Sequence, residues 1–156
     1  MKNLMTLSMA YQPPRVMLGY KKQGIGTGRL VGFGGKVKGQ ETITQAMIRE
    51  MKEEAGIVPE VYEKTGILHV QNDKLDEPLE IHVFKIFNFL GTPRETAEMR
   101  PGWYDQSNLP YDQMWPDDRI WIPYFLSNRK FIATFKLISG NEIDKHEIRE
   151  VQSFPE

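Results

Sequence analysis

Residues 35–57 read GKVKGQETITQAMIREMKEEAGI, and no other stretch of the 156-residue chain constrains the fold as tightly. Gly35 is followed after five residues by Glu41, and after seven more by Arg49-Glu50-Met51-Lys52-Glu53-Glu54-Ala55-Gly56-Ile57. The run predicts a helix from Ile43 to Ala55. Thr42, with Gln45 three positions on, forms a capping-box pattern, and Gly56 suits the left-handed residue that follows a helix. At about 100° per residue, Glu50, Glu53 and Glu54 share one arc. Ile48, Met51 and Ala55 occupy the flank beside them and are predicted to face the core. The Glu50/Glu54 and Glu50/Glu53 pairs each destabilise a bare helix by about 0.2–0.5 kcal/mol. A cation on that face reverses the sign. Hard cations with oxygen ligands, Mg²⁺ first, suit such a cluster. The bland alternative is a solvated, glutamate-rich helix face.

The rest of the chain reads mainly as strands. Leu4–Met9, Arg15–Lys21 and Leu30–Phe33 precede the helix, with a glycine loop at Gly24, Gly26 and Gly28 that reads as mobile. Val61–Val70 and Ile81–Leu90 follow it, then a turn at Gly91-Thr92-Pro93 and a strand over Met99–Asp105. A turn falls at Leu109-Pro110. Pro116-Asp117-Asp118 opens a second helix predicted to end near Asn128. Lys130–Ile138 and Ile143–Val151 are predicted to pair around Ser139-Gly140-Asn141. The expected class is α/β (α+β): one domain over 1–156, with a mixed sheet between helices.

A net charge of −1 implies no attraction to nucleic acid polymers, and the absence of cysteine excludes disulfides and thiolate zinc sites. No leader or membrane span is read at the N-terminus, so a cytoplasmic, monomeric protein is the expectation.

The spaced pattern G-x5-E-x7-R-E-U-x-E-E-x-G-U, with U a bulky aliphatic residue, is met at all nine specified positions, with Met51 and Ile57 in the aliphatic slots. The chain therefore resembles the Nudix hydrolases. That resemblance implies the Nudix fold and metal-dependent cleavage of a nucleoside diphosphate linked to another group. It implies Mg²⁺, with Mn²⁺ a possible substitute, held by Glu50, Glu53, Glu54 and Glu98 with the Gly34 carbonyl. Glu53 and Glu98 are the alternatives for the base that takes a proton from water; Glu98 also reads as a solvated loop carboxylate. Arg49 is expected to orient the glutamates. Glu41 either reaches back to the metal face or serves the helix start, and Lys36 either neutralises phosphate or is a solvated lysine.

A second resemblance covers nearly the whole chain, to the MutT homologues within the family that hydrolyse oxidised purine nucleoside triphosphates. It rests on Lys21-Lys22 with the glycine loop, Gly32-Phe33-Gly34-Gly35-Lys36-Val37, His82-Val83-Phe84 and Gly91-Thr92-Pro93. Glu98-Met99-Arg100-Pro101, Met114-Trp115-Pro116-Asp117-Asp118 and Arg149-Glu150-Val151 add to it. It implies a monophosphate and pyrophosphate as products and a small nucleotide as partner. It also implies a substrate site that includes Thr6, Lys21, Val31, Gly34, Lys36, Leu79, Met99, Trp115, Asp117 and Asp118. A tryptophan face can stack a purine. Two adjacent buried carboxyls share protons and can read a base edge; a dipole-favoured helix start with a core tryptophan is the simpler reading.

The departures lie in the base pocket. Val31 stands where family members carry an asparagine that bonds the base, and valine offers no hydrogen bond. Leu30 replaces a tryptophan, Val70 and Asn72 replace phenylalanines, Leu79 a methionine and Ile25 a phenylalanine. Another substrate is the competing expectation: an unmodified nucleotide, a dinucleotide polyphosphate or a sugar nucleotide. A nucleotide-sensing module without turnover is a poorer match, because the box carboxylates are all present.

Overall fold

The computed structural model describes residues 3–139 and 141–155. Eight strands and two helices form it. They are β1 (Asn3–Gln12), β2 (Arg15–Lys21), β3 (Leu30–Val31), α1 (Ile43–Ala55), β4 (Val58–Asn72), β5 (Leu79–Leu90), β6 (Met99–Asp105), α2 (Asp118–Leu126), β7 (Phe131–Ile138) and β8 (Glu142–Glu150). The strands run in the order β3-β2-β1-β5-β4-β7-β8, with β6 on the free side of β2. β1 pairs parallel with β5 from Asn3 to Ala10 and turns antiparallel onto β2 at Tyr11 and Gln12, so it joins the two halves of the sheet.

Alternating side chains separate two apolar layers. Phe131, Ala133, Phe135 and Leu137 of β7 all point to one face, where they meet Trp121, Ile122 and Phe125 of α2. On the other face Met47, Met51 and Ala55 of α1 pack on Ala10, Phe33, Phe84 and Ile86, with Ile48 at the margin. The mixed sheet between helices is the expected class. Among the described residues no helix is long and apolar enough to cross a membrane.

The helix α1 has the predicted limits. Thr42 Oγ1 accepts from Gln45 N and Gln45 Oε1 accepts from Thr42 N, while Gly56 at φ 73° closes the end. Other boundaries moved. The third strand stops at Val31, and Phe33 instead bonds Ser8 as an isolated bridge. The fourth begins at Val58, ahead of Pro59, because bulges on either side of Val61 absorb the proline. The second helix ends at Leu126, where Ser127 returns both its N–H and its hydroxyl to Pro123 O. Single 3₁₀ turns at Gln106–Asn108 and Tyr111–Gln113 flank Leu109-Pro110. Gly140, in the predicted β7–β8 turn, lies outside the described residues.

Lys85 is fully buried beneath the end of α2. Its Nζ donates to Phe125 O and Asn128 Oδ1, both at 2.7 Å, and lies 4.2 Å from the Tyr11 ring centre. Burial pushes its ammonium down to about 8, against the pull of Glu63. A depressed lysine releases its proton earlier when folded, so stability rises with pH between about 8 and the unfolded value near 10.5. Lys85→Met is expected to remove on the order of 2 kcal/mol of that alkaline rise, read from urea denaturation at neutral and alkaline pH. An unchanged slope would contradict the assignment.

Candidate functional site

Glycines bring the loop before α1 against β1. Thr6 N donates to Gly35 O at 2.9 Å, Val37 N to Leu4 O at 3.0 Å, and Phe33 and Ser8 exchange both backbone bonds. At Gly34 an added Cβ would stand 1.8 Å from the Thr6 carbonyl oxygen, so only glycine fits. The Gly34 N–H then faces α1 and donates to Glu54 Oε1 at 2.8 Å. At Gly35 a Cβ would meet Glu50 Oε1 at 2.7 Å. The double glycine is thus a cradle shaped around two of the box carboxylates.

Arg49 organises the others. Its Nε and Nη2 grip Glu41 at 2.6 and 2.8 Å, Nη1 reaches Glu50 at 2.7 Å and Glu53 at 3.3 Å, and Nη2 also donates to Lys36 O at 3.0 Å. Arg49 thus bonds three of the box glutamates at once. Glu41 precedes the N-cap, so it is not a first-turn carboxylate; it braces Arg49, whose guanidinium holds its carboxyl down to about 2. Lys36 is exposed; its carbonyl belongs to the brace.

Glu50 and Glu54 are buried, whereas Glu53 is about half exposed. Glu98, in the loop before β6, is not a freely solvated carboxylate: it is half-buried, and its carboxyl helps to raise that of Glu54. Thr96, which the sequence did not single out, ties that loop to the helix, its hydroxyl donating to Glu54 O at 3.0 Å and accepting from Met99 N. Burial, then the charges of Glu50 and Glu98, push Glu54 up to about 8. Among the described residues no three acidic or histidine side chains already converge as a finished metal cage, because Arg49 and the Gly34 N–H hold the oxygens. The donor set fits a hard divalent cation nonetheless. It is all oxygen, crowded with like charge, and includes one carboxyl kept protonated only by its surroundings.

The substrate positions fall into two groups. Val31 and Met99 are buried in the α1-side layer, with Trp115 packed against it. Leu79, opposite Val70, packs into the α2-side layer. The structure therefore does not gather them on one face. Asp117 and Asp118 bridge the layers: Trp121 Nε1 donates to Asp117 Oδ2 at 3.2 Å, and Trp115 N to Asp118 Oδ2 at 3.1 Å. Asp117 occupies the N-cap of α2 without a side-chain capping bond and Asp118 lies in the first turn, which is where the helix-start reading puts them. Burial raises both carboxyls, and the charge of Asp117 raises Asp118 further.

Thr6 is buried, and its hydroxyl has no partner among the described residues. Lys21 closes the glycine loop through its backbone and lies opposite Met99. One further side chain went unread in the sequence. Arg29 lays its guanidinium 4.2 Å from the Trp115 ring centre. Its one sequence signal is that it is the sole cation between Lys22 and Lys36.

Strand order, the α1 box and its glycine cradle define a class, and the family comparison agrees: the NUDIX domain model matches residues 13–125. The chain belongs to the Nudix family. Two curated relatives, each called an oxidized purine nucleoside triphosphate hydrolase, resemble it almost end to end. The zebrafish (Danio rerio) protein is 41% identical over 149 residues, 96% of each chain, and the mouse (Mus musculus) protein 40% over 151, 97% of each. Among solved structures, a mutator MutT protein from Bacillus halodurans superposes with a TM-score of 0.83 at 22% identity, covering 94% of this chain and 97% of its own. At that identity the likeness concerns the fold.

Proposed function

We propose that the protein hydrolyses oxidised or otherwise modified purine nucleoside triphosphates to the monophosphate and pyrophosphate, as a monomer cleansing the cytoplasmic nucleotide pool. The observation that carries this reading is the buried Asp117/Asp118 pair beside Trp115, in a chain 40–41% identical to two relatives named for that activity. A carboxyl that keeps its proton donates to a base oxygen, and its ionised neighbour accepts from a base N–H. Trp115 supplies an aromatic face. The free Thr6 hydroxyl is a spare donor and acceptor.

At the other end, Glu50, Glu53, Glu54 and Glu98 with the Gly34 carbonyl would hold Mg²⁺, or Mn²⁺ in its place. The ion, when bound, offsets phosphate charge and lowers the pKa of water. Arg49 keeps Glu50 and Glu53 oriented. Glu98, beside Glu54, is the favoured candidate for the base; Glu53, tied to Arg49, is less free to act. Lys36 and Lys21 supply positive charge for the phosphates.

Val31 favours a second reading, a Nudix pyrophosphohydrolase with a different nucleotide. It packs with Met17, Phe33 and Met99 and contributes no hydrogen bond to a base. Assays of kcat/KM for 8-oxo-dGTP, 2-hydroxy-dATP, dGTP, dATP and a sugar nucleotide, all read by nucleoside monophosphate formation, separate the two. At least one oxidised triphosphate is expected to exceed its parent by about tenfold or more, the worth of one buried polar contact. Equal values across oxidised and unmodified purines would overturn the proposal in favour of the second reading.

A further inference from the structure

One side chain pins three separate pieces of the chain around the aspartate pair. Arg29, in the loop between β2 and β3, covers the Trp115 ring at 4.2 Å. Its Nη1 donates to the carbonyl of Met114, the residue before that tryptophan, at 2.8 Å. Its Nη2 donates to Asn141 Oδ1, beyond β7, at 2.7 Å. Gly26 of the same loop adopts φ 88° and presses on the indole so closely that a Cβ there would lie 3.0 Å from Cζ2. The ring is thus held by the loop at two points and by its own preceding carbonyl. Both hydrogen-bond partners of Arg29 are neutral, so its charge is not spent on a carboxylate there.

The same short segment links that charge to the aspartates: Arg29 holds Met114 O, and the next residue, Trp115, donates its N–H to Asp118. The groups that face the pair are Arg29 from the loop, Tyr111 from the turn before α2, and the two tryptophans that donate to it. The guanidinium draws both carboxyls towards ionisation, while burial holds them protonated. Two adjacent buried carboxylates cannot both ionise cheaply, and one nearby cation favours a state with a single proton. That state offers one donor and one acceptor to a purine edge.

We propose that Arg29 is the positioning residue for base selection: it fixes the plane of Trp115 and sets a positive charge beside the Asp117/Asp118 pair that Trp115 N adjoins. The proposal rests on the reading of Trp115 and the aspartates as the base site. Lysine is no substitute, because it lacks the planar fork that serves Met114 and Asn141 while stacking on the indole.

Arg29→Met and Arg29→Lys, assayed with 8-oxo-dGTP and dGTP across the acidic and neutral range, test it. In Arg29→Met, kcat is expected to stay within about twofold while KM for the preferred triphosphate rises about tenfold, a change of about 1.4 kcal/mol. The acidic limb of its KM profile moves to higher pH, because the pair keeps its protons longer without the cation. Arg29→Lys keeps the limb in place and raises KM less. A bystander that only steadies the fold would raise KM equally at every pH, with lysine as damaging as methionine, and that result overturns the proposal. Arg29→Gln carries the same charge test if Arg29→Met does not fold. Trp115→Phe and Asp118→Asn run beside them. If those two leave KM and base preference untouched, the base-site reading fails and the proposal with it. If they raise KM and the Arg29 variants do not, the proposal alone fails.

Discussion

Glu54→Gln is expected to abolish most turnover and yet melt higher than the parent at pH 8 and above. The two effects have one cause. Glu54 is buried beside Glu50 and Glu98, and its carboxyl is held up to about 8 against an ordinary 4.5. For an acid whose folded pKa is raised, the folded state holds a proton that the unfolded state has lost. Stability therefore falls as pH rises through that window, from about 4.5 to about 8, and the penalty is complete above it. Its size is on the order of 3 kcal/mol. Glutamine keeps the Oε1 that accepts from Gly34 N, and its amide can donate to Glu98, so it reproduces the protonated acid without the penalty. Thermal melts across pH 5–9 check this: the parent curve should decline and the variant curve stay flatter. Kinetically, losing a metal carboxylate removes several kcal/mol of charge stabilisation, about a hundredfold or more in kcat. Adding Mg²⁺ should raise the parent's Tm and release protons near neutral pH, and do much less in the variant. Full turnover by Glu54→Gln would remove this carboxylate from the site.

What could be read in advance follows the range of the forces involved. The limits of α1 were legible because a capping box and a left-handed glycine are local signals, contained within 15 residues. The carboxylate face was legible for the same reason, since Glu50, Glu53 and Glu54 share an arc by helix geometry alone. The pairing of Glu41 with Arg49 was not legible, because it depends on how the loop enters the helix. Arg29 was invisible because its partners, Met114 and Asn141, are 85 and 112 residues away and leave no periodic trace. The division of the candidate substrate positions between two layers was equally hidden, because it depends on where β1 leaves β5 for β2.

The glycine cradle permits a sharper separation of fold from chemistry. Gly34→Ala is expected to damage both. The new methyl would sit 1.8 Å from Thr6 O and 2.5 Å from Thr6 C, both backbone atoms that cannot swing aside. The loop must then lift from β1, breaking the bonds from Thr6 to Gly35 and between Phe33 and Ser8, and taking the Gly34 N–H away from Glu54. Strain and lost bonds of this kind place the variant among the severe cases, about 4 kcal/mol or more, with kcat down about a hundredfold in whatever remains folded. Gly35→Ala meets a side chain instead, the end of Glu50, which can rotate away. It should keep most of the stability and still lose activity, because the displaced carboxylate no longer faces the loop. Gly39→Ala has open space around its Cβ but φ 52°, so a modest strain of about 1 kcal/mol and normal kcat are expected. Melting curves and kcat for the three variants form the check. A Gly34→Ala protein with parental Tm would mean that the loop does not lie against β1 as described, and the cradle for the carboxylates would fall with it.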